Sequence, residues 1–580
     1  MRRGLLFGSG CMPVVDHKAE RAKDIKRIKD SVHPRKVVVA GPGTGKTHLF
    51  REIITKKRAE GKKRFLALTF VGKLADALAD DLCGLAKTNT LHGFARSFVL
   101  EHTKNFDYYP QISEVIAEDL RNEGIEAFEI GDENYVRKTK YYRAVGHDDV
   151  VLYAVRTCKK DPKKIPFFDL ILIDEYQDFN STESELVDIL AQRNEVVIVG
   201  DDDQALYGFK GASPSFIRAK YDPDNARWES FSLRFCSRCT EVMIRYFHCL
   251  VAQFTASNSA ETVPTKKRIE KEYICYIPDG ERDSKIYDSR ANPKIHLIKS
   301  CPVGKIANII RTELENLVES QQLKEVLVIG EAQSCGKLLE RTARQLRNFG
   351  FKNVAHKGES GNVPIRQDIV DAYKFLAKDE SSPLGWRILK NPEDAETRKK
   401  HLANAQTLNA IINGTPSQVK AISYTCILRM EDEIEVWEIP SEEVSKDEVG
   451  ADELEARMYQ RQNILIRKGL LAQELKIANL HLSPPLCNLD ITVGNILNSK
   501  GLGADVVFLI GFDQGKLPAK NDPTEGEIYQ MMVAVTRAKK RMYLINTIGQ
   551  KVSRFVECLD AKYLDIKEVP EPKRRAQAIR

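Results

Sequence analysis

The residues best suited to chemistry form a glycine-rich segment that ends in lysine and threonine, AGPGTGKT at 40–47. The segment follows a continuous apolar run at 36–40 and precedes a sequence of helical pattern. Glycines in such a turn let backbone N–H groups face a phosphate, while Lys46 would place its charge on the β and γ oxygens and Thr47 would offer a hydroxyl to Mg²⁺. The pattern predicts a phosphate-binding loop built from Gly41, Pro42, Gly43, Thr44, Gly45, Lys46 and Thr47.

A pair of acids, Asp174 and Glu175, follows a second apolar run, FDLILID at 168–174. At the carboxyl end of a buried strand, Asp174 would hold Mg²⁺ and Glu175 would polarise an attacking water. An isolated acid pair is usually no more than part of a solvated loop. Combined with the phosphate-binding loop, it predicts a Mg²⁺-dependent nucleoside triphosphatase whose metal ligands are Thr47 and Asp174.

Buried strands are needed to position the phosphate-binding loop and the acid pair, and the apolar runs of the sequence predict such strands. Runs that are continuous rather than alternating are typical of strands buried on both faces of a parallel sheet. One series lies at 36–40, 65–69, 168–174 and 196–200, and a second series lies at 325–330, 505–511 and 541–546. With helical patterns between them, the runs predict an α/β protein with two doubly wound parallel sheets.

Four further motifs resemble those of the UvrD/Rep family of superfamily 1 DNA helicases. They are TLHGF at 90–94, VGDDDQALYGFKGASP at 199–214, SKGL at 499–502 and VAVTRAKKR at 533–541. The resemblance covers 36–240 and 485–545 and indicates a small, divergent member of the family. It implies two RecA-like P-loop NTPase domains with ATP between them, two mainly helical insertions, and ATP-driven movement along single-stranded DNA from 3′ to 5′.

The resemblance assigns roles to residues beyond the loop and the acid pair. Gln204 would sense the γ-phosphate or orient water, Lys500 and Gly501 would line the ATP cleft, and two arginines from the second domain would stabilise charge on the transferring phosphoryl group. The implied catalytic set is Lys46, Asp174, Glu175, Gln204, Arg238 and Arg537. A surface salt bridge is the alternative for each arginine.

Nucleic-acid contacts are implied at strand-to-helix turns and near SKGL, with single-stranded DNA or a junction between single and double strands as the ligand. Tyr207 and Phe209 flank a turn that would present aromatic faces to bases, each stack contributing ~1–3 kcal/mol. Ordinary core filling is the alternative for these two rings, and simple packing is the alternative for His92. The implied contacts are Thr69, Phe70, Lys73, Thr90, His92, Tyr207, Phe209, Lys210, Asn498 and Ser499.

Recognition of the base and the sugar departs from the family pattern. No glutamine stands upstream of the loop to read adenine, Ser237 replaces the aromatic residue before the motif arginine, and Gly503 replaces a ribose-contacting glutamate. Cys236 and Leu497 replace an asparagine and a histidine, and Phe235 is the residue that would compensate by stacking. We therefore expect intact phosphate chemistry with ATP and Mg²⁺ as cofactors, and a relaxed preference for the base.

The predicted boundaries interrupt each RecA-like domain with an insertion. They are 1–95 and 165–230 for the first domain, 231–356 and 484–562 for the second, 96–164 for a small helical insertion, 357–483 for a reduced insertion with an acidic segment, and 563–580 for a basic tail. Insertions in this family grip duplex DNA. Because both look reduced, translocation is a firmer expectation than strand separation.

Composition limits the class of protein. A net charge of +7 permits nucleic-acid binding, and 12 cysteines without a dense framework favour a reducing compartment. No apolar run reaches the length of a membrane span, and the N-terminal apolar patch is too short for a signal peptide. We therefore expect a cytoplasmic protein without a membrane partner. A zinc site is a minor alternative for one group of residues, Cys236, Cys239, His248 and Cys249.

Two other functions are compatible with these motifs. The chain could be an ATP-gated nucleic-acid-binding module that regulates a partner such as a nuclease, or works with a loading factor, without robust unwinding. It could also be a helicase for RNA or RNA–DNA hybrids, because many backbone contacts do not inspect the 2′-hydroxyl.

Overall fold

A computed structural model describes most of the chain. The described residues are 16–103, 106–254, 268–276, 294–318, 323–357, 367–413, 424–430, 433–439 and 484–570. They belong to two compact units. The first takes its described residues from Met1–Phe94, Cys158–Gly358 and Leu480–Arg580, and the second from Ala95–Thr157 and Glu359–Asn479.

The α-helices are numbered in chain order. They are α1 His17–Asp30, α2 Lys46–Ala59, α3 Gly72–Leu82, α4 Leu91–His102, α5 Ile112–Asn122, α6 Glu133–Tyr142, α7 Val150–Lys160, α8 Ser181–Leu190, α9 Ser215–Tyr221, α10 Glu241–Phe254, α11 Ile306–Val318, α12 Ala332–Asn348, α13 Gln367–Lys378, α14 Pro383–Ile388, α15 Ala395–Asn413, α16 Pro484–Cys487 and α17 Glu525–Val535. None of these described helices is both long enough and apolar enough to cross a bilayer.

The strands are numbered in the same way. They are β1 Arg35–Ala40, β2 Phe65–Thr69, β3 Lys87–Thr90, β4 Asp107–Tyr108, β5 Ala144–Val145, β6 Leu170–Ile173, β7 Val196–Gly200, β8 Glu229–Leu233, β9 Phe235–Cys236, β10 Ile274–Cys275, β11 Ile295–Cys301, β12 Glu325–Gly330, β13 Asn353–Lys357, β14 Tyr424–Met430, β15 Glu433–Ile439, β16 Asp490–Asn495, β17 Ala504–Ile510, β18 Ala538–Thr547 and β19 Leu564–Glu568.

The first unit contains two large sheets. One has six parallel strands in the order β3-β2-β6-β7-β1-β8. Its central strands are almost completely buried, as the continuous apolar runs predict, because helices cover both faces. Strand β8 pairs along β1 from Lys36 with Glu229 to Ala40 with Leu233. The sheet therefore continues past residue 230, where the sequence suggested a domain boundary. We call this sheet and its helices the first lobe.

The other large sheet has seven parallel strands in the order β13-β16-β12-β17-β18-β11-β19. Strand β17, at the middle of this order, is buried along its whole length. Helix α10 packs its Val242 and Met243 into the same core as Leu327 and Val507. We call this sheet and its helices the second lobe. Two parallel sheets with covering helices confirm the α/β fold class.

The second unit combines the two segments that the sequence suggested as separate insertions. Apolar side chains of α5 and α6, among them Ile112 and Tyr135, share one core with Phe375 and Leu384 of α13 and α14. Arg387 adds a polar link across the two segments, since its Nε donates to Asp119 at 2.8 Å. The unit is mainly helical and also contains an antiparallel hairpin of β14 and β15.

Candidate nucleotide and nucleic-acid site

The glycine-rich loop follows β1 and ends where α2 begins. Gly43 and Gly45 have φ angles of +67° and +94°, a region that residues with a Cβ rarely adopt. Thr44 closes the loop, because its hydroxyl donates to the Gly41 carbonyl at 2.9 Å. Gly45 caps α2 without a side-chain hydrogen bond. The first N–H groups of α2 are therefore suited to an anionic ligand, which fits a triphosphate.

The acid pair lies directly opposite Lys46. Lys46 Nζ is 2.7 Å from Glu175 Oε1 and 3.7 Å from Asp174 Oδ1. Burial disfavours the charged lysine, yet Glu175 and Asp174 hold the pKa of Lys46 above its ordinary value. Burial raises the pKa of Asp174 to about 6, against the opposing effect of Lys46. A carboxylate and a threonine hydroxyl are hard oxygen donors of the kind that Mg²⁺ prefers, so the chemistry of Thr47 and Asp174 fits that ion.

Glu175 occupies an unusual backbone conformation. Its φ is +54°, a left-handed value that costs a non-glycine residue about 1–3 kcal/mol. Burial opposes its ionisation, but Lys46 and Lys500 keep the pKa of Glu175 below its usual range. The carboxylate is thus held ionised at the end of β6, in the charge state that activation of a water requires.

Gln177 is a site residue that the sequence did not single out. Its Nε2 donates to Glu175 Oε2 at 2.6 Å, and its Oε1 accepts from the Asp201 N–H at 3.0 Å. The side chain therefore connects the acid that follows β6 with the acid that follows β7. Gly200 leaves room for it, because a Cβ at that position would lie 2.5 Å from Gln177 Oε1. The feature of the sequence that could have identified Gln177 is its position two residues after Glu175.

Lys500 brings the second lobe into the same site. Its Nζ contacts a carboxylate oxygen of Asp178, donates to the Gln204 carbonyl at 3.0 Å and lies 3.5 Å from Glu175 Oε2. Lys500 is buried, as is Gln204, whose side-chain amide donates to Asp201. Glu175 is consequently shared between a lysine of each lobe. Gly501 follows in the left-handed region at φ +81°.

The two predicted arginines occupy different surroundings. Arg238 lies against the phosphate loop, because the neighbouring Ser237 N–H donates to the Gly43 carbonyl at 2.9 Å and a Cβ on Gly43 would lie 2.3 Å from Arg238 Cβ. Arg537 is buried and donates to the carbonyls of Val533 at 3.0 Å and Leu502 at 2.9 Å. Burial lowers the pKa of Arg537 to about 9, with Arg238 acting in the same direction. For Arg537, these carbonyl contacts replace the surface salt bridge that was its alternative.

Three consecutive acids, Asp201 to Asp203, are neutralised by cations that sequence reasoning missed. Lys271 Nζ lies 2.9 Å from a carboxylate oxygen of Asp201 and equally far from one of Asp203, and it also contacts Asp202. Arg218 pairs with Asp202 at 2.8 Å. Among the described residues this is the one acidic or thiol cluster compact enough for a metal, and a lysine already occupies it.

The zinc alternative does not fit the cysteine pair. The Cys239 thiol approaches the Thr536 carbonyl at 3.6 Å, while the Cys239 N–H approaches Cys236 Sγ at 3.4 Å. The His248 ring is held by the Tyr273 backbone, whose N–H lies 3.2 Å from Nε2. In the described part of the chain these groups do not converge on a common point.

Two of the predicted nucleic-acid residues form an aromatic pair. The rings of Phe70 and Tyr207 have centroids 4.9 Å apart, and Phe179 extends the cluster at 6.3 Å from Phe70. Lys500 Nζ lies 5.7 Å from the Tyr207 ring centroid. Tyr207 also packs against the core of the second lobe, so the core-filling alternative describes part of its role. The side chains of Lys73 and Phe209 lie outside the described part of the structure.

The remaining predicted contacts separate into exposed and engaged side chains. Lys210 and Asn498 are exposed. Thr90 accepts from the Gly93 N–H at 2.9 Å, and His92 Nε2 lies 3.6 Å from Glu183. Ser499 is buried, and its hydroxyl donates to the Ile496 carbonyl at 2.6 Å. A surface contact from Ser499 therefore disagrees with the structure, because the turn that presents Lys500 uses this hydroxyl.

Thr69 differs from these residues because its hydroxyl has no partner within the described structure. It is completely buried at the carboxyl end of β2, and its Oγ1 makes no hydrogen bond to any described residue. Buried hydroxyls are normally paired. Its position beside Phe70 links the end of the first sheet to the aromatic pair.

Comparison with known proteins agrees with this geometry. Residues 26–210 match the AAA domain family, and residues 452–548 match the UvrD-like helicase C-terminal domain family. The first match covers the phosphate loop and both acid clusters. The second covers the segment that carries Lys500 and Arg537.

Several curated relatives cover different shares of the chain. The exonuclease/helicase subunit RexA of Lactococcus lactis subsp. cremoris is 29% identical over 181 residues, which are 30% of this chain and only 14% of the relative. The ATP-dependent DNA helicase Rep of Buchnera aphidicola is 29% identical over 490 residues, with 73% and 71% covered. The ATP-dependent DNA helicase UvrD1 of Mycobacterium tuberculosis is 21% identical over 680 residues, with 92% and 84% covered. The fold, the motifs and these matches together make the chain similar to UvrD-like and Rep DNA helicases.

Proposed function

We propose that this chain is a Mg²⁺-dependent ATPase that moves along single-stranded DNA and acts as a 3′–5′ DNA helicase. The observation that carries the proposal is the position of Glu175, which Lys46 of the first lobe and Lys500 of the second both contact. A carboxylate shared in this way couples the chemistry of the phosphate loop to the relative position of the two lobes.

The residues of the first lobe have distinct tasks in hydrolysis. Backbone N–H groups from Gly41 to Thr47 would bind the triphosphate, and Thr47 with Asp174 would hold Mg²⁺. Bound there, Mg²⁺ would neutralise charge on the β and γ oxygens. Glu175 would orient the attacking water and accept its proton, with Gln177 fixing the carboxylate through the 2.6 Å hydrogen bond.

Binding of the triphosphate would release Glu175 from Lys46. In the structure Lys46 donates to Glu175 at 2.7 Å, but a triphosphate on the loop offers the lysine a stronger set of anionic oxygens. Glu175 would then retain Lys500 and Gln177 as its partners. Because Lys500 belongs to the second lobe, the change at the loop reaches that lobe directly, and this is the step that would convert hydrolysis into movement.

The DNA strand would contact the exposed side chains near the aromatic pair. Lys210 and Asn498 are solvent-exposed and would contact phosphates, and Phe70 with Tyr207 provides rings for the bases. Lys500 lies within cation–π distance of Tyr207 and also contacts Glu175. Displacement of the Tyr207 ring by DNA would therefore shift Lys500 and change its contact with Glu175. The 3′ to 5′ direction is carried over from the family resemblance.

A second candidate is an ATP-gated module that works with a nuclease. It is favoured by the match to RexA, whose name describes an exonuclease/helicase subunit. In this case ATP turnover would reset the partner, and duplex unwinding by the isolated chain would be weak.

Streptavidin displacement from single strands biotinylated at either end, with and without a duplex region, tests both candidates. The translocase proposal expects faster displacement from one end, and the 3′–5′ proposal expects that end to be the 5′ one. ATP hydrolysis should be strongly stimulated by single-stranded DNA. Equal hydrolysis with and without DNA, together with no displacement, would contradict translocation and leave the gated module.

A further inference from the structure

Arg21 reaches the phosphate loop from outside the sequence motifs. It lies in the second turn of α1, which Asp16 caps through hydrogen bonds from Lys18 and Ala19. A Cβ built on Gly45 would lie 3.1 Å from Arg21 Nη2. Arg21 thus brings a permanent positive charge to the loop residue that directly precedes Lys46.

An aromatic wall holds this guanidinium in place. Arg21 Cζ lies 5.1 Å from the Tyr276 ring centroid, and the Tyr276 ring meets Phe235 edge-on with centroids 6.3 Å apart. The His17 ring also packs against Phe235, with ring centroids 5.5 Å apart. Cation–π contact orients a planar guanidinium and limits its motion. Tyr276 itself is held by the pairing of β10 with β9.

The donors of Arg21 are not all satisfied by the protein. Its Nε is buried without a hydrogen-bond partner, and no ion pair of Arg21 occurs among the described residues. Arg234 provides the contrast, because it stacks on Phe235 at 5.3 Å and also pairs with Asp24 at 3.3 Å. Buried donors are normally paired, so an orphaned guanidinium donor beside a phosphate loop points to a ligand.

We propose that Arg21 reads the base of the bound nucleotide and admits guanine as well as adenine. The proposal rests on the proposed function, since it concerns the same nucleotide site. Lys46, Asp174 and Glu175 mark the end of the site that receives the terminal phosphate and Mg²⁺. The aromatic rings around Arg21 mark an end of different character, suited to a flat base rather than to a phosphate.

The chemistry of the guanidinium determines which base it favours. Arginine offers donors only, and guanine presents two acceptors, N7 and O6, that a guanidinium can engage together. Adenine presents N7 beside an amino group that is itself a donor, so one of the two hydrogen bonds is lost. A glutamine at the same position would both donate and accept, which suits adenine.

The test compares hydrolysis and binding of ATP, GTP and inosine triphosphate by the full chain in the presence of single-stranded DNA. We expect GTP and inosine triphosphate to be used at least as efficiently as ATP, because hypoxanthine keeps N7 and O6. Arg21→Gln should raise the ATP-to-GTP ratio of kcat/KM by about tenfold or more, the discrimination that a paired base contact supplies. Arg27→Ala, an exposed arginine of the same helix, should leave the ratio unchanged.

Arg21→Lys and inorganic tripolyphosphate separate base reading from phosphate binding. Lysine keeps the charge but loses the paired donors, so Arg21→Lys should lower the use of GTP relative to ATP and leave inhibition by tripolyphosphate unchanged. If Arg21→Ala weakened tripolyphosphate and all three nucleotides equally, Arg21 would be a phosphate contact and the proposal would be overturned. An ATP-to-GTP ratio unaltered in Arg21→Gln would overturn it as well.

Binding of fluorescent adenine and guanine nucleotides to Glu175→Gln, which should retain the site without turnover, provides a readout independent of hydrolysis. A change in the binding ratio on adding Arg21→Gln would support base reading even if the chain hydrolysed nothing, in which case the proposed ATPase alone would fail. Absence of binding to every nucleotide would overturn both.

Discussion

The two lobes share one architecture but differ in the residues at the ends of their strands. In the first lobe, β1 leads into the phosphate loop, β6 into Asp174 and Glu175, and β7 into Asp201. In the second lobe, β11 leads into Pro302 and a short 3₁₀ helix, without a glycine-rich loop. The second lobe contributes single cations instead, of which Lys500 is the clearest. A parallel sheet thus provides strand ends, and the residues of the following loops determine which of those ends is suited to a phosphate.

The charges of the two lobes are complementary at the cleft. Glu175 and Asp178 of the first lobe are both in contact with Lys500. Arg218 of the first lobe donates to the Tyr529 hydroxyl of α17 at 2.9 Å. The first lobe concentrates carboxylates, which suits a metal and a water, and its own Lys46 together with Lys500 of the second lobe keeps the pKa of Glu175 low. The comparison therefore predicts graded effects when individual cations or acids are removed.

The largest effect should follow removal of the first-lobe lysine. Lys46→Ala should reduce ATP hydrolysis by about 100-fold or more, because a preorganised charge at the terminal phosphates is lost. Steady-state turnover with saturating single-stranded DNA measures this. Lys56→Ala, on the same helix and paired with Asp30 at 3.1 Å, is the matched control and should stay close to wild type. Retained turnover in Lys46→Ala would contradict the phosphate-site assignment.

Removal of the second-lobe lysine should have a smaller effect with a different signature. Lys500→Ala should lower DNA-stimulated hydrolysis by about 10- to 100-fold, since Glu175 loses a charge partner and the lobes lose a direct link. Stimulation by DNA should fall more than basal turnover. Lys567→Ala serves as the control, because Lys567 lies on the edge strand β19 and pairs with Glu313 of α11. Equal losses with and without DNA would show that Lys500 acts on chemistry alone.

Gln177 should contribute less than either lysine. Gln177→Ala removes the bridge between Glu175 and Asp201 but leaves every charge in place, so we expect a decrease in kcat of about tenfold. Gln177→Glu should be worse, because it sets a third carboxylate between two acids. Gln192→Ala, at an exposed position after α8, is the control. An unchanged kcat in Gln177→Ala would show that the bridge is only structural.

The smallest effect concerns Glu183, a buried acid of the first lobe. Glu183 caps α8 by accepting the Asn180 N–H at 2.7 Å, and burial raises the pKa of Glu183 to about 7, with Asp178 adding to the rise and Lys210 opposing it. Between about pH 4.5 and pH 7, the folded state therefore keeps a proton on Glu183 that the unfolded state has already released. Stability from this group is present at low pH and is lost as the pH rises from about 4.5 to 7.

Glu183→Gln keeps the cap and removes the titration. We expect the variant to gain melting temperature relative to wild type as the pH is raised from 5 to 8, with a free-energy difference of no more than about 3 kcal/mol. Thermal unfolding at several pH values measures it, and Glu185→Gln in the same helix is the control. A difference that did not change with pH would contradict a protonated Glu183. The two lysines beside Glu175 would then not explain why the pKa values of Glu175 and Glu183 shift in opposite directions.

Much of the first lobe was predictable because its signals are local. The apolar run before AGPGTGKT places a buried strand, and the strand places the loop, so Lys46 and Thr47 could be assigned from neighbours in sequence. Asp174 and Glu175 follow the same logic. In the second lobe Lys500 and Arg537 depended on a family resemblance, because a single cation after a turn has no chemical signature of its own.

Other features depended on contacts between distant segments. Lys271 and Arg21 are ordinary residues of charged stretches until the fold brings one to three aspartates and the other to the phosphate loop. The single core formed by α5 and α6 with α13 and α14 was likewise invisible, since helical periodicity reveals an apolar face but not its partner. The engagement of Ser499 within its own turn was missed because the family resemblance assigned this side chain to the nucleic acid, and a hydrogen bond to the Ile496 carbonyl has no signal in the sequence.

The sequence by itself determined where the proposed phosphate chemistry would occur, because glycines, a lysine and two acids at the ends of buried strands have few alternative uses. Tertiary structure alone decided which cations hold those acids ionised and which arginine of α1 lies beside the phosphate loop. The physical reason is the separation of the interacting residues along the sequence. Backbone geometry and strand burial depend on adjacent residues, whereas the partner of a buried charge can lie hundreds of residues away in the sequence.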